Sequence, residues 1–533
     1  MNKSRIDVLI IGAGASGAAV AWSLADTRMR IVCMDQGEWM SPEAYPSTGQ
    51  DWEARGLSDF SYSPNQRRRE TDYPINDADT PIAIANFNGI GGSTVLYAGH
   101  YPRLHPSDFR VKSLDGVADD WPISYETLAP YYAVNDRMTG VSGLAGDPAY
   151  PRKQVAMGPL PLGKSGTALA KGFNELGWHW WPSDSAIATD TYDGRSACIN
   201  LGACASGCAQ GAKASADITY LAHARRNRVE VWPRCRVREI TTNRSGMATG
   251  VTYFDADGIE CYQSAEVVIL ACNGIGTPRL LLNSKSTAHP DGLGNSSGLI
   301  GKNFMCHPYA AIYGVFDEPL DTYKGPHNNI WSHQFYESDP SRGFVRGFIY
   351  ESIRGYGPLG TGLIGTALSR IRWGMSHHDD YRKLFNHTTF LQSICEDLPD
   401  ETNRITLDDE LTDSNGIPAP KVFYRISKNS QRMIDFSIDR AYEVFRAAGA
   451  TEIFSRNPVA EGGWHLLGTA RMGSDPKASV VNEWGRSHDV KNLFIVDGSI
   501  FVTSGGVNPT CTIQALALYI ADNIKMRLAN LFD

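Results

Sequence analysis

The sequence has no uninterrupted apolar run of about 18 residues, which is the length that a membrane-spanning helix requires. Its first residues, 1–5, are weakly basic, but the apolar run that follows, Val8 to Ile11, is too short for the core of a signal peptide. We therefore expect no direct membrane span and a cytoplasmic location, unless the chain is exported on a partner subunit.

Clustered positive charge and cysteine are also scarce. The 50 Lys and Arg residues are outnumbered by 58 Asp and Glu residues, and the longest basic run is Arg67 to Arg69. A nucleic acid is therefore not an expected partner, because its phosphates bind clustered positive charge. Ten cysteines in 533 residues are too few for a disulfide scaffold. With 42% hydrophobic residues and no periodic glycine, the composition indicates a globular protein.

The sequence does contain a nucleotide-binding pattern near its start. Residues 7–11 and 30–34 are short apolar runs typical of buried parallel strands, and residues 18–25 between them are typical of a helix. A Gly-x-Gly-x-x-Gly motif follows the first run, and an acidic residue follows the second. The glycines let the backbone approach a pyrophosphate at the helix N-terminus, and the acidic side chain accepts hydrogen bonds from a ribose. The pattern predicts a dinucleotide site formed by Gly12, Gly14, Gly17 and Asp35.

The rest of the chain divides into stretches of different character. The stretch 273–278 opens a helix over residues 279–283, within a region of short buried strands. Residues 311–454 instead carry many aromatic side chains, a turn signal at 413–416 and a long amphipathic helix over 431–448. Near the C-terminus the pattern again predicts a buried strand followed by a helix. Segments of a nucleotide-binding domain thus bracket an inserted substrate domain.

Several motifs together resemble those of one known family. Besides the amino-terminal glycines, the sequence carries Asn-Gly-Ile-Gly-Gly-Ser-Thr, a second glycine-rich stretch, a Cys-His-Pro sequence, and Trp-His and Asn-Pro pairs near its end. In this order they resemble the glucose-methanol-choline (GMC) flavoprotein oxidoreductases over nearly the whole chain. Within that family, residues 120–125 and a cysteine-rich segment most resemble the flavin subunits of bacterial gluconate, glucose and fructose dehydrogenases. The motifs occupy residues 88–94, 271–278, 300–308, 464–465 and 508–509.

The resemblance implies a mixed α/β fold, in which a Rossmann-like FAD-binding domain carries an inserted substrate domain built on an antiparallel sheet with helices. We predict that the discontinuous FAD-binding domain comprises residues 1–110, 195–310 and 455–533. Residues 111–194 and 311–454 are then predicted to form the substrate-binding domain and its cap segments.

The resemblance also implies that the dinucleotide is FAD, held without a covalent bond. Some relatives attach the flavin through a histidine a few residues after the Gly-Gly pair, and Leu96 stands at that position here. His100 follows four residues later and is expected to be a polar residue that lines the flavin loop. The FAD-binding residues that the resemblance implies are Gly12, Gly14, Gly17, Asp35, Gly91, Gly92, Ser93, Val237, Asp497, Gly498, Pro509 and Thr510.

His465 and Asn508 occupy the family positions of a catalytic pair. Loss of a hydride from an alcohol requires loss of the hydroxyl proton, and a neutral histidine is suited to accept that proton. The amide of Asn508 can donate a hydrogen bond to the developing alkoxide. His307 also matches a family position and is expected to be a structural hydrogen-bonding residue.

The predicted function is the FAD-dependent oxidation of a hydroxyl group of a sugar, polyol or related compound to a carbonyl, by a dehydrogenase in preference to an oxidase. The electron acceptor would be oxygen, a quinone or a cytochrome rather than NAD. Two alternatives stay open: oxidation of an aryl or aliphatic alcohol, and a hydroxynitrile lyase that uses the same scaffold without net redox chemistry. A flavin-binding protein without catalysis is a third alternative, which the presence of both His465 and Asn508 disfavours.

A cysteine cluster raises the question of a second cofactor. Cys198, Cys204 and Cys208 are spaced C-x5-C-x3-C on a glycine-rich loop, and three thiolates at this spacing can bind an iron-sulfur cluster. The resemblance to the sugar dehydrogenases implies a three-iron cluster that passes electrons to a cytochrome subunit. Ala209 follows the last cysteine, where a proline is common beside such clusters. Buried free thiols, or a zinc site with a fourth ligand, are the alternatives.

Overall fold

The computed structural model describes residues 5–527 and residue 531, which form a mixed α/β fold. No helix within these residues combines the length and the apolar character needed to cross a membrane. The strands are β1 (Ile6–Ile11), β2 (Ile31–Met34), β3 (Asn76–Asp79), β4 (Trp181–Pro182), β5 (Glu230–Trp232), β6 (Arg236–Thr242), β7 (Ala248–Phe254), β8 (Glu260–Leu270), β9 (Tyr309–Val315), β10 (Asn328–Ser332), β11 (Phe348–Ile353), β12 (Thr388–Cys395), β13 (Arg404–Thr412), β14 (Pro418–Phe423), β15 (Glu452–Arg456) and β16 (Leu493–Ile495). The helices are α1 (Ala15–Leu24), α2 (Trp52–Leu57), α3 (Pro64–Arg67), α4 (Val111–Asp115), α5 (Tyr125–Thr139), α6 (Gly163–Glu175), α7 (Tyr220–Arg226), α8 (Asn273–Asn283), α9 (Pro358–Ala367), α10 (His377–Leu384), α11 (Lys428–Ala448) and α12 (Thr510–Met526).

The first sheet is built around the long strand β8. Its strand order is β5-β2-β1-β8-β7-β6, and β16 pairs with β8 as well. The C-terminal half of β8 pairs in parallel with β1 and β16, whereas its N-terminal half pairs with β7 in antiparallel orientation. Every residue of β2 is buried, as expected for a parallel strand covered on both faces. The predicted Rossmann-like fold is confirmed, with α1 packed against α7 and α12.

The second sheet is antiparallel, as predicted for the substrate domain. Its strand order is β15-β9-β12-β11-β10-β4. Side chains alternate between the two faces of each strand. On one face, Ala310, Ile312 and Leu391 pack against the apolar sides of α6 and α11, through residues such as Phe173 and Phe445. The opposite face lines a large cavity. The sheet therefore serves as a wall between a helical layer and that cavity.

A third, smaller sheet joins two distant parts of the chain. Strands β13 and β14 form a hairpin around the turn signal at 413–416, and β3 pairs in parallel with β14. The hairpin comes from the predicted substrate segment, whereas β3 comes from the predicted FAD-binding segment. The division of the chain into domains at the proposed residues stays a prediction.

Helix α8 begins six residues earlier than the sequence pattern predicts. Pro278 lies inside the helix, although proline has no N–H to donate to the carbonyl of the residue four positions before it. In the structure that carbonyl, of Gly274, accepts a hydrogen bond of 2.8 Å from the hydroxyl of Thr469 instead. The N–H of Asn273 donates to the carboxylate of Asp497 at 3.1 Å. Hydrogen bonds to Thr469 and Asp497, which are distant in sequence, thus satisfy the carbonyl of Gly274 and the N–H of Asn273 in the first turn of α8.

A buried arginine connects the second sheet to the segment that contains α4. The guanidinium of Arg346 donates to Glu396 at 2.9 Å, to Asp115 at 3.0 Å and to Asp108 at 2.5 Å. Burial raises the pKa of Asp108 to about 6 and that of Glu396 to about 8, and the arginine charge opposes both shifts. Arg346 is therefore the cation that allows these carboxylates to be buried.

The substitution Arg346→Met should lower the free energy of unfolding by about 3 to 5 kcal/mol, because it leaves buried carboxylates without a cation. Urea unfolding followed by circular dichroism measures the change. The control is Arg382→Met, whose ion pair with Asp379 is on the surface, and whose effect should stay below about 0.5 kcal/mol. Equal effects of the two substitutions would contradict the assignment.

Candidate active site

A cavity of about 600 Å³ lies between the carboxyl ends of the parallel strands and the second sheet. Its position matches the rule that ligands of open α/β sheets bind at the carboxyl ends of the strands. Both residues of the predicted catalytic pair, His465 and Asn508, line it. The predicted FAD-binding residues that line it are Gly12, Gly14, Asp35, Gly92, Ser93, Val237, Asp497, Gly498, Pro509 and Thr510.

Two of the predicted FAD-binding glycines, Gly17 and Gly91, support the cavity without lining it. A Cβ atom on Gly17 would lie 1.9 Å from the carbonyl oxygen of Gly12, so glycine is what lets α1 pack against the end of β1. The N–H of Gly91 donates to the carbonyl of Ala13 at 2.9 Å and holds the loop of residues 92–95 against the first turn.

Two helix N-termini open on the cavity. The first residues of α1, Ala15 and Ser16, line it, and neither a side-chain cap nor an acidic side chain occupies that helix end. Helix α12 also begins at the cavity, at Thr510, without a side-chain cap. Free N–H groups and the positive end of the helix dipole favour phosphate oxygens. This part of the cavity therefore fits the pyrophosphate of a dinucleotide.

Asp35 lies at the end of β2 with its carboxylate facing the same cavity. One oxygen accepts the N–H of Ala13 and the other accepts the N–H of Gly37, both at 2.8 Å. Burial raises the pKa of Asp35 to about 6, and these two hydrogen bonds oppose the increase. The group is therefore ionised at pH 7 and can accept hydrogen bonds from ribose hydroxyls.

A chain of hydrogen bonds sets the protonation of His465. Nε2 of His307 lies 2.6 Å from the carbonyl oxygen of Gly505, and the Nδ1 atoms of His307 and His465 are 2.8 Å apart. A carbonyl only accepts, so Nε2 of a neutral His307 carries its proton, and its Nδ1 is an acceptor. Nδ1 of His465 must then be the donor. The network leaves Nε2 of His465 without a proton.

Burial favours the neutral form of both histidines. It lowers the pKa of His465 well below the usual 6.5, and the neighbouring His307 lowers it further. The pKa of His307 is lowered to about 4, also by burial. His465 is therefore a neutral hydrogen-bond acceptor at pH 7 and suited to take a proton from a ligand.

The cavity has an aromatic wall and a polar wall near His465. Tyr62 packs edge-on against Trp464 with ring centroids 5.0 Å apart, and Tyr309 stacks on Trp464 at 6.1 Å. The polar wall includes three residues that belong to none of the sequence motifs: Glu351, Gln392 and His327. A glutamate in the middle of the apolar run Phe-Ile-Tyr-Glu-Ser-Ile was the available signal, because such strands seldom bury an unpaired charge.

Comparison with known proteins identifies the family. Two sequence profiles described as GMC oxidoreductase match residues 6–309 and 399–517. The chain belongs to the GMC oxidoreductase family. It is therefore an oxidoreductase of a family that acts on alcohol groups and binds FAD, as the sequence motifs predict.

Individual relatives of this GMC oxidoreductase agree with the assignment. It is 41% identical to a 2-methyl-1,2-propanediol dehydrogenase of Mycolicibacterium austroafricanum, over 100% of this chain and 97% of that protein. It is 29% identical to the fructose dehydrogenase large subunit of Gluconobacter japonicus, over 97% of each chain. The solved structure of pyridoxine 4-oxidase from Mesorbium loti matches 98% of this chain and 99% of that chain, with a TM-score of 0.67 and 15% identity. The last match supports the fold alone.

The three cysteines of the glycine-rich loop differ in burial in this GMC oxidoreductase. Cys204 is buried, Cys198 and Cys208 are half-buried, and all three are free thiols. Among the described residues, no three His, Cys, Asp or Glu side chains form a group that could hold a metal ion. Burial raises the pKa of Cys198 to about 11, so this thiol is protonated at pH 7 in the metal-free protein. The iron-sulfur cluster that the spacing and the resemblance imply therefore stays a prediction, with free thiols or a zinc site as its alternatives.

Gly92→Ala should weaken FAD binding by about 10-fold or more, because its Cβ would lie 2.7 Å from the Cα of Gly14 and push apart the turns that meet at the pyrophosphate site. FAD titration of the apoprotein measures the affinity. Gly116→Ala is the control, since Gly116 also has a positive φ, of +72°, but has open space around it. This control should lose about 1 kcal/mol of stability and keep its FAD affinity. Normal affinity of Gly92→Ala would contradict the fit.

Proposed function

We propose that this GMC oxidoreductase oxidises a hydroxyl group of a polyol or sugar to a carbonyl, with His465 as the base that accepts the hydroxyl proton. The observation that carries the proposal is the hydrogen-bond chain from Gly505 through His307 to His465, which leaves Nε2 of His465 free to accept. A base in this state beside a cofactor-sized cavity is what alcohol oxidation requires.

FAD is proposed to bind without a covalent bond. Its pyrophosphate would lie at the N-termini of α1 and α12, and its ribose at Asp35. Leu96 lines the cavity at the position where some relatives carry an attaching histidine. The chemistry that FAD supplies when bound is the acceptance of a hydride from the alcohol carbon.

The remaining steps belong to side chains of this protein. Nε2 of His465 takes the hydroxyl proton, so that the oxygen becomes a carbonyl oxygen rather than a high-energy protonated carbonyl. The amide of Asn508 has two N–H donors. They can donate to the substrate oxygen as negative charge develops on it.

A dehydrogenase is proposed in preference to an oxidase. Two relatives, the 2-methyl-1,2-propanediol dehydrogenase and the fructose dehydrogenase large subunit, support this choice and the polyol or sugar class of substrate. Oxygen, a quinone and a cytochrome are the acceptors to compare. Oxygen uptake slower than reduction of a soluble quinone, with the same substrate, is the result expected for a dehydrogenase.

His465→Ala should slow flavin reduction by about 100 to 10,000-fold, which is the usual effect of removing one positioned base. Asn508→Ala should slow it by about 100 to 1,000-fold, through loss of a donor to the developing alkoxide. The double variant should lose less than the product of these factors, since both groups act on one oxygen. Anaerobic stopped-flow reduction of FAD-loaded protein measures the rates without the electron acceptor.

Flavin reduction at the parental rate in His465→Ala, with normal FAD content, would show that another group is the base. The same measurement separates oxidation from the hydroxynitrile lyase alternative, because a lyase converts its substrate without bleaching the flavin. A wild-type protein that cleaves a hydroxynitrile and is not reduced by any alcohol would overturn the proposal.

His307→Leu should slow flavin reduction by about 10-fold or more, because Nδ1 of His465 loses the acceptor that selects its tautomer. It also removes a group that lowers the pKa of His465. The pKa of the base should therefore rise, and the acid-side loss of activity should move to higher pH. The pH profile of the reduction rate measures this shift. His378→Leu, on the exposed surface of α10, is the control and should leave the profile unchanged. If the acid-side loss of activity occurs at the same pH in His307→Leu as in the wild type, His307 does not position His465 as proposed.

A further inference from the structure

On the three central strands of the second sheet, β9, β11 and β12, the cavity-facing side is apolar or aromatic except at one pair of residues. Glu351 of β11 and Gln392 of β12 are direct cross-strand neighbours, and both line the cavity. A polar pair at this place contrasts with its surroundings on the same face. The other cavity-lining residues of the three central strands are Tyr309, Ala311, Tyr313, Ile353 and Phe390.

Glu351 is fully buried and has no cationic side chain beside it. One carboxyl oxygen accepts from the amide of Gln392 at 3.4 Å, and the other has no hydrogen-bond partner. Nδ1 of His100 lies 3.5 Å from this second oxygen. Within the described residues no Lys or Arg forms an ion pair with Glu351.

Neighbouring polar side chains are unpartnered as well. His100 is 3% exposed, yet neither of its ring nitrogens has a hydrogen-bond partner. The same holds for Nδ1 of His327 and for the side-chain oxygen of Asn508. These three residues line the cavity, as Glu351 does. Buried polar atoms without partners destabilise a fold, so their concentration here indicates a polar ligand that bonds to them.

The protonation of this group selects the chemistry of the ligand. Burial raises the pKa of Glu351 to about 8, and the nearby amide side chains of Asn508 and Gln392 oppose the increase. Burial lowers the pKa of His100 to about 3. At pH 7 both groups are neutral, and each has one donor and at least one acceptor. A hydroxyl group matches them, since it both donates and accepts, whereas an ammonium group only donates.

We propose that Glu351, His100 and Gln392 form a second-hydroxyl subsite, which binds a further hydroxyl of the alcohol substrate beside the one that is oxidised. The inference rests on the proposed function. Asn508 lies beside Glu351 and is the proposed donor to the reacting oxygen, so one side chain separates the two substrate oxygens. The substrate class is therefore a diol or polyol with hydroxyls on neighbouring carbons.

Three small alcohols that differ in one group test the subsite. In 1,2-propanediol, 2-amino-1-propanol and 2-methyl-1-propanol, the carbon beside the same CH2OH group carries a hydroxyl, an ammonium or a methyl group. The measurement is the second-order rate of anaerobic flavin reduction in FAD-loaded protein at pH 7. The diol should react at least about 10-fold faster than the methyl compound, and faster than the amino compound.

Variants link this preference to Glu351. Glu351→Leu should reduce the ratio of diol to methyl rates to within roughly 3-fold of unity, because the second hydroxyl loses its partner. Glu351→Gln, which stays neutral and hydrogen-bonding, should retain most of the ratio. Gln392→Leu should also lower the ratio of diol to methyl rates. It replaces Glu351→Leu as the test variant if Glu351→Leu does not fold or does not bind FAD. Glu410→Leu, at an exposed position of β13, is the matched control and should retain the wild-type ratio.

Three outcomes would overturn the subsite. These are equal rates for the diol and methyl compounds in wild-type protein, a preference for the amino compound, and an unchanged ratio in Glu351→Leu with normal FAD content. Failure of all three compounds, when a longer alcohol or a sugar does reduce the flavin, also removes the subsite but leaves the proposed function standing. Failure of every alcohol and sugar with FAD bound removes the proposed function itself.

Discussion

The parallel pairing of β8 with β1 on one side and β16 on the other is the constraint on which the active site depends. The three strands come from distant segments, and parallel strands present their carboxyl ends at one edge of a sheet. Gly12, Cys272 and Asp497 therefore lie along one wall of the cavity. Asp497 bonds the first N–H of α8, which ties the middle segment to the C-terminal segment that carries Asn508.

Burial shifts the pKa values of His465 and Glu351, which both line the cavity, in opposite directions. Removal from water disfavours the charged form of any titratable group, so it lowers the pKa of a histidine and raises that of a carboxyl. His465 is thereby kept neutral and able to accept a proton. Glu351 is kept protonated near pH 7 and able to donate as well as accept. One physical cause thus supports both the proposed base and the proposed second-hydroxyl subsite, without any charged residue in contact with Glu351 among the described side chains.

Local sequence patterns predicted those elements whose conformation depends only on residues nearby in the chain. The apolar runs and glycines around Gly12 predicted a Rossmann-like turn, because a strand, a tight turn and a helix follow one another without help from distant residues. The turn signal at 413–416 likewise lies between the strands of a hairpin. Helix α8 was predicted too short, since the partner that replaces the missing N–H of Pro278 is Thr469, nearly 200 positions away. Spacing also suggested a metal site for the three cysteines, but the path of the loop decides whether thiols converge.

The sequence by itself determined the family, the nucleotide-binding turn and the candidate pair of His465 and Asn508, because these depend on residue identity at motif positions. Tertiary structure alone decided which nitrogen of His465 accepts a proton, since that follows from the contact with His307 and the carbonyl of Gly505. It also decided that Glu351 faces the cavity, because the alternation of a strand does not say which face meets a helix and which meets a ligand. Such choices depend on packing between segments that no local pattern contains.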